Sequence, residues 1–91
     1  MVKTYDLPCT DGHKSFYGKA VVLVDTPSGW CFLRSYNTLV CGVSPSGGFR
    51  RYWDGYSMTT LRHVNGFRET HGLSPITKAQ WLEMDVSPVA L

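Results

Sequence analysis

The chain of 91 residues is short of the features that mark most enzymes and most membrane proteins. Charge is scarce: 18% of positions are Asp, Glu, Lys or Arg, below the usual quarter, and the formal net charge is +2. The two halves match, with four Lys or Arg against three Asp in 1–49 and five against four Asp or Glu in 50–91. So even a balance leaves no basic arm of the kind that neutralises several phosphates of a duplex. The longest apolar run, Ala20 to Val24, is far shorter than the ~20 residues of a membrane span. Met1 to Asp6 carry no apolar leader core, so no signal peptide is expected and the chain is predicted to be cytoplasmic. A glycine-rich phosphate loop, a paired metal-ligand motif and a nucleophile elbow are also missing. The prediction is therefore a protein that is not an enzyme and holds no cofactor.

Cysteine is sparse too. Cys9, Cys31 and Cys41 are an odd number without a short pairing motif, which predicts free thiols in a reducing compartment. Cys31 and Cys41 lie in alternating apolar runs and read as small buried hydrophobes. The nearest approach to a metal motif is Cys9-x-x-x-His13, two ligands where structural zinc takes four, so no metal site is expected.

What the sequence does carry is punctuation and pattern. Residues 2–6 read as a short edge strand, followed by a polar loop broken by Pro8, Gly12 and Gly18. Lys19 to Asp25 is β-branched and short enough to be a buried strand, and Thr26-Pro27-Ser28-Gly29 is a turn. From Trp30 the chain alternates, with Trp30, Phe32, Arg34 and Tyr36 on one face and Cys31, Leu33 and Ser35 on the other. Thr38 to Val43 keeps the period of two, with Leu39, Cys41 and Val43 opposed to Thr38, Val40 and Gly42. Asn37 between the runs suits a left-handed turn or a bulge. Ser44 to Gly48 is a loop, and Phe49 to Trp53 reads as the last strand.

Two helices follow. Ser57 is a natural N-cap, Tyr56 and Leu61 stand at staple positions, and Gly72 supplies the left-handed residue after the C-terminus. Met58, Leu61, Val64 and Phe67 form the predicted core arc; Thr59, Arg62, His63, Gly66, Glu69 and Thr70 fill the polar half. His63 and His71 are accordingly expected to be solvated or capping. Thr77 with Gln80 makes a capping box for a shorter helix pinned by Trp81. The fold class predicted is α+β in one domain, 1–91: an antiparallel three- to four-stranded meander over about 2–53, a main helix over about 57–71, a C-terminal helix over about 77–84 and an irregular tail over 85–91.

Arg34 to Thr38, the run Phe49-Arg50-Arg51-Tyr52-Trp53-Asp54-Gly55-Tyr56-Ser57, Thr59 to Arg68, and Gly72-Leu73 with Lys78 and Trp81 carry a likeness. Between Trp30 and Met84 the sequence resembles a family of small uncharacterised proteins of bacteriophages and mobile elements of gut-type bacteria. Its most specific part is Trp-x-Gly-Tyr-Ser-x-Thr-Thr, Trp53 to Thr60. The resemblance brings no catalytic residues; it implies an accessory protein of the kind that interferes with host machinery.

Two constellations are candidates for function. Ser57, Thr59 and Thr60 place hydroxyls at a helix N-terminus, where free N–H groups and the dipole favour an anion, with Arg62 and Arg50 or Arg51 in reach. The plainer reading is that Ser57 caps, Thr60 packs and the arginine stems cover apolar surface. The second constellation is Trp30, Tyr36, Tyr52, Trp53 and Tyr56 with Arg34, Arg50 and Arg51 interleaved. Tyr, Trp and Arg dominate interface hot spots, and the same groups stack bases. More of these rings are present than a small core absorbs, which predicts an exposed aromatic–basic sheet face. The expected partner is a host protein complex, contacted by Tyr36, Arg50, Trp53, Tyr56, Arg62 and His63, with anti-defence inhibition of the anti-CRISPR type as its most concrete form. The alternative is nucleic acid bound on the same face. The edge strand also suits a homodimer formed by sheet extension.

Overall fold

The structure, a computed structural model, describes residues 2–7 and 19–88. Cys9 and His13, and the loop expected around them, lie outside the described residues. Five strands, β1 Val2–Asp6, β2 Ala20–Asp25, β3 Cys31–Ser35, β4 Thr38–Val43 and β5 Phe49–Arg51, form one antiparallel sheet in chain order. Two helices, α1 Met58–Thr70 and α2 Lys78–Glu83, complete the α+β architecture.

The strand count exceeds the three or four expected because the alternating stretch from Trp30 folds back on itself. Tyr36 and Asn37 form a complete two-residue turn, and Tyr36, not Asn37, is the residue with positive φ, +55°. A second departure follows at once. Leu33 faces Cys41 while Arg34 faces Leu39, so Val40 is the extra residue of a β-bulge. The bulge buries Val40 and Cys41 side by side, against the simple alternation expected there. It also frees the Val40 carbonyl, which accepts from the N–H groups of Tyr52 (2.8 Å) and Trp53 (3.3 Å), where the chain leaves the sheet two residues before the expected strand end.

Register assigns each residue a face. Val22, Leu33, Cys41 and Arg51 line up across the sheet, and beside them Val24, Cys31, Val43 and Phe49. This inner face meets α1 and α2 through Val64, Phe67, Ile76 and Trp81.

Local chemistry holds the helices as the sequence predicts. Ser57 Oγ accepts from Thr60 N–H at 3.0 Å, a cap that contributes about 1 kcal/mol. The Thr77–Gln80 capping box is complete in both directions. Past α1, Leu73 N–H reaches the Arg68 carbonyl and Gly72 N–H that of Glu69, the Schellman pattern that needs the positive φ of Gly72, +74°. Asn65 then pins the linker to α2 by exchanging two hydrogen bonds with the Ile76 backbone, at 3.0 and 2.8 Å.

The buried arc of α1 is rotated from the one expected. Met58 is 75% exposed, while Thr60, His63, Val64, Gly66 and Phe67 are buried. At about 100° per residue Met58 lies some 160° from Thr60, on the opposite side of the helix. His63 is therefore neither solvated nor capping: it is 1% exposed, with Nδ1 2.8 Å from Ser35 Oγ, which in turn lies 3.2 Å from Thr60 Oγ1. These polar groups enter the interior because each finds another there.

Arg51 is the second polar group drawn inside. It is 4% exposed, and its guanidinium donates to the carbonyls of Trp53 (2.8 Å), Trp81 (2.9 Å), Met84 (3.1 Å) and Gly55 (3.5 Å), 4.7 Å from the Trp81 ring centroid. A cation at the C-terminal end of α2 also meets the negative end of that helix. The tail, expected to be irregular from 85, makes one parallel bridge from Val86 to Arg51, with Ser87 N–H on the Arg51 carbonyl at 2.7 Å. No helix among the described residues is long and apolar enough to cross a membrane.

Candidate partner-binding face

Among the described residues, no helix covers the other sheet face. Register sets Leu23, Phe32, Gly42 and Arg50 in one row across four strands, and Trp30 follows Phe32 on the same side at alternate spacing. Tyr52, two residues beyond Arg50, completes the group.

Gly42 shapes this row by what it lacks. A Cβ there would stand 3.0 Å from Phe32 Cδ1, 3.0 Å from Tyr52 Cε2 and 3.2 Å from the Cys31 carbonyl oxygen. Without it, the rings close over the strand. Phe32 stacks on Trp30 with centroids 5.8 Å apart and planes 14° from parallel, and Tyr52 tilts against its other side at 6.1 Å. Phe32 is only 4% exposed, with the Trp30 and Tyr52 rings against it, although no helix among the described residues covers it. Offset ring pairs of this kind contribute about 0.5–1.5 kcal/mol beyond their area.

Charge enters at the rim. Arg50 is exposed, and its guanidinium lies 5.9 Å from the Trp30 ring centroid. Asp25 stands at the other side, accepting from Ser28 Oγ at 2.5 Å. Burial pushes the Tyr52 phenol up from its ordinary value, the Arg50 guanidinium opposing the shift, so the hydroxyl stays protonated at neutral pH. Together these residues line a groove of about 750 Å³ that runs from Val2 and Leu23 across the aromatic row to Ser87 and Pro88. The volume lies in the range of specific ligand sites, ~300–1,000 Å³.

The residues singled out from sequence fall in four places. Arg50 is on this face. Tyr36 is 52% exposed at the β3–β4 hairpin, its ring 5.9 Å from that of His63. Trp53 and Tyr56 pack half-buried against the core, with Lys78 Nζ 4.8 Å from the Tyr56 ring centroid, and Arg62 is half-buried on α1. His63 is inside. Of the anion candidates, the Ser57 hydroxyl is engaged by Thr60 N–H, Thr60 is buried against Ser35, and Thr59 is half-buried. The alternation of Trp30, Phe32 and Arg34 is visible in the sequence, as is a strand that begins at Phe49. Their meeting across Gly42 depends on the β3–β4–β5 register, which no local pattern specifies.

Burial pushes the Cys31 thiol up and that of Cys41 far up, the opposite of what an activated nucleophile needs. Among the described residues, no three His, Cys, Asp or Glu side chains are grouped to hold a metal. A family model, described as a family of unknown function (DUF8033), matches residues 6–83, and the chain belongs to that family. No curated protein and no solved structure gives a significant match.

Proposed function

We propose that this DUF8033 protein is a non-enzymatic binding protein that docks on a host macromolecular complex through the outer sheet face. Its most concrete form is an anti-defence inhibitor of phage or mobile-element origin, of the kind that disables CRISPR effectors. The observation that carries the docking surface is the Trp30–Phe32–Tyr52 row with Arg50 beside it, on a sheet face that no helix among the described residues covers. Tyr, Trp and Arg supply large contact area with a polar tip, and rings already fixed by stacking lose little freedom on association. The host complex as partner, and the anti-defence role, follow from the resemblance of the Trp53–Thr60 segment to accessory proteins of phages.

The test is quantitative capture from extracts of a bacterial host by the wild-type chain and by Trp30→Ala and Arg50→Glu variants. Loss of the captured complex by tenfold or more in both variants, with the melting temperature of Arg50→Glu unchanged, supports the reading. Capture indifferent to both substitutions overturns it.

Nucleic acid on the same face is the second reading, favoured by the exposed Arg50 beside the Trp30 ring and by the exposed Arg34, two residues along β3 from Phe32. It requires affinity for a labelled single strand that falls steeply with salt. An absence of binding at low salt removes it.

A further inference from the structure

The outer groove offers side-chain donors over an apolar floor, and few free acceptors. The Trp30 indole N–H and the Tyr52 hydroxyl have no hydrogen-bond partner among the described residues, and the exposed Arg50 guanidinium lies against the Trp30 ring and near the Tyr52 phenol, with no hydrogen bond among the described residues. The backbone of β3 and β4 is engaged in the ladder on both sides. The acceptor is at one end, where Asp25 takes the Ser28 hydroxyl and keeps carboxylate lone pairs for a cationic side chain. An occupant that buried its own N–H groups on this floor would leave them unmatched, at a cost of desolvation. One rich in carbonyls and free of N–H groups meets no such cost.

Proline has that chemistry. It lacks the N–H, its ring packs flat on aromatic faces, and polyproline II segments turn their carbonyls outward without internal hydrogen bonds. Aromatic-lined grooves recognise such segments through these properties. The charges flanking Trp30 add direction, because Arg50 and Asp25 on the two sides complement one acidic and one basic residue in a fixed order. Three strand spacings separate β2 from β5, roughly 14 Å, a span covered by about five residues of polyproline II. A nucleic acid strand fits less well, since among the described residues a single guanidinium, Arg50, and a carboxylate, Asp25, line the same groove.

We propose that the groove takes an extended, proline-containing segment of the partner protein, with an acidic residue against Arg50 and a Lys or Arg against Asp25. This rests on the docking reading above and specifies its chemistry.

The test uses an array of short peptides with proline cores of varied length, flanked by Asp or Glu and Lys or Arg in both orders, probed with the intact chain. The best binder is then followed by amide and indole resonance shifts. The expected result is a subset that binds in one charge order and shifts the Trp30 indole and Tyr52 resonances. Replacing its prolines by alanine weakens it tenfold or more, as does Trp30→Ala in the protein. Arg50→Asp, at an exposed position, leaves a carboxylate at each end, so it abolishes the preference for one charge order and favours peptides basic at both ends, without unfolding the chain. Failure of every proline peptide, equal binding of alanine peptides, or shifts of the same resonances by oligothymidylate alone overturns the inference. So does a concentration-dependent shift of these resonances that Arg50→Asp abolishes, which identifies a second copy as the occupant. Host capture that still depends on Trp30 and Arg50 while no proline peptide binds removes the inference and leaves the docking reading. Capture independent of both residues removes the docking reading itself.

Discussion

The two faces of the sheet use the same residue types for opposite ends. On the inner face Arg51 is buried under α2 with its guanidinium on four carbonyls, while its neighbour Arg50 stands exposed on the outer face beside the Trp30 ring and the Tyr52 phenol. Trp81 is enclosed and its indole N–H donates to the Gly55 carbonyl at 2.9 Å, whereas the Trp30 indole faces the groove rim unpaired among the described residues. Adjacent arginines and two tryptophans thus divide into a set whose polar groups are satisfied within the chain and a set whose polar groups are left for something else. Satisfaction of the polar tip, more than hydrophobicity, separates structural from candidate binding residues here.

The comparison is broken most sharply at Arg51. Arg51→Met keeps much of the stem volume and strips the donors from the Trp53, Gly55, Trp81 and Met84 carbonyls. With hydrogen bonds to charged groups contributing about 1.5–3 kcal/mol each in favourable cases, a loss of about 3 kcal/mol or more is expected in urea unfolding. The matched Arg50→Met change is expected within about 0.5 kcal/mol of wild type. Equal losses at the two positions would show that the faces do not differ as described.

A smaller effect is expected from the outer row. Gly42→Ala places a methyl 3.0 Å from both the Phe32 and Tyr52 rings and 3.2 Å from a backbone oxygen that is held in the sheet. The rings must part, at a cost of about 1–3 kcal/mol for an overpacked site. Because Phe32 and Tyr52 move, the near-ultraviolet circular dichroism changes while the far-ultraviolet spectrum holds. An unaltered aromatic spectrum would mean that the row tolerates the methyl and does not depend on close approach at Gly42.

Legibility followed the range of the interaction. Features set within four or five residues were readable: the Ser57 cap, the Thr77–Gln80 box, the Gly72 terminus and the alternation of Trp30, Phe32 and Arg34. Features requiring a distant partner were not. His63 reads as a polar-face residue because its partner, Ser35, is 28 positions away, whereas Thr60, which reads as packing, does pack and meets the same Ser35; with that partner present α1 turns His63 inward and Met58 out. Arg51 reads as a surface cation until α2 supplies carbonyls from positions 81 and 84. The Val40 bulge has no signature in a β-branched run, yet it decides where the chain leaves β5 and so where Tyr52 meets Phe32. Half of the candidate face was thus visible as a pattern, and its assembly awaited the register.

The inner and outer faces also differ in how they meet alkali, and this is the gentlest test. Cys41 is fully enclosed at the centre of the inner face, and burial holds its thiol far above the ordinary 9.0. Above about pH 9 the unfolded chain releases that proton while the folded chain keeps it, so the native state binds more protons and stability falls as pH rises. The stabilisation is complete below the ordinary thiol value and declines beyond it, by at most about 1.4 kcal/mol per pH unit for one group. Cys31, raised by partial burial, acts in the same sense, and Tyr5 and Tyr52 join only above their ordinary 10.0. Between about pH 9 and 10 the slope therefore comes, among the described residues, mainly from the inner-face thiols. Urea unfolding of Cys41→Ala across that interval is expected to show a lower starting stability and a shallower decline than wild type, whereas Arg50→Met leaves the decline as it is. A slope unchanged by Cys41→Ala would place the alkaline sensitivity elsewhere and deny the inner face its closed, dry character.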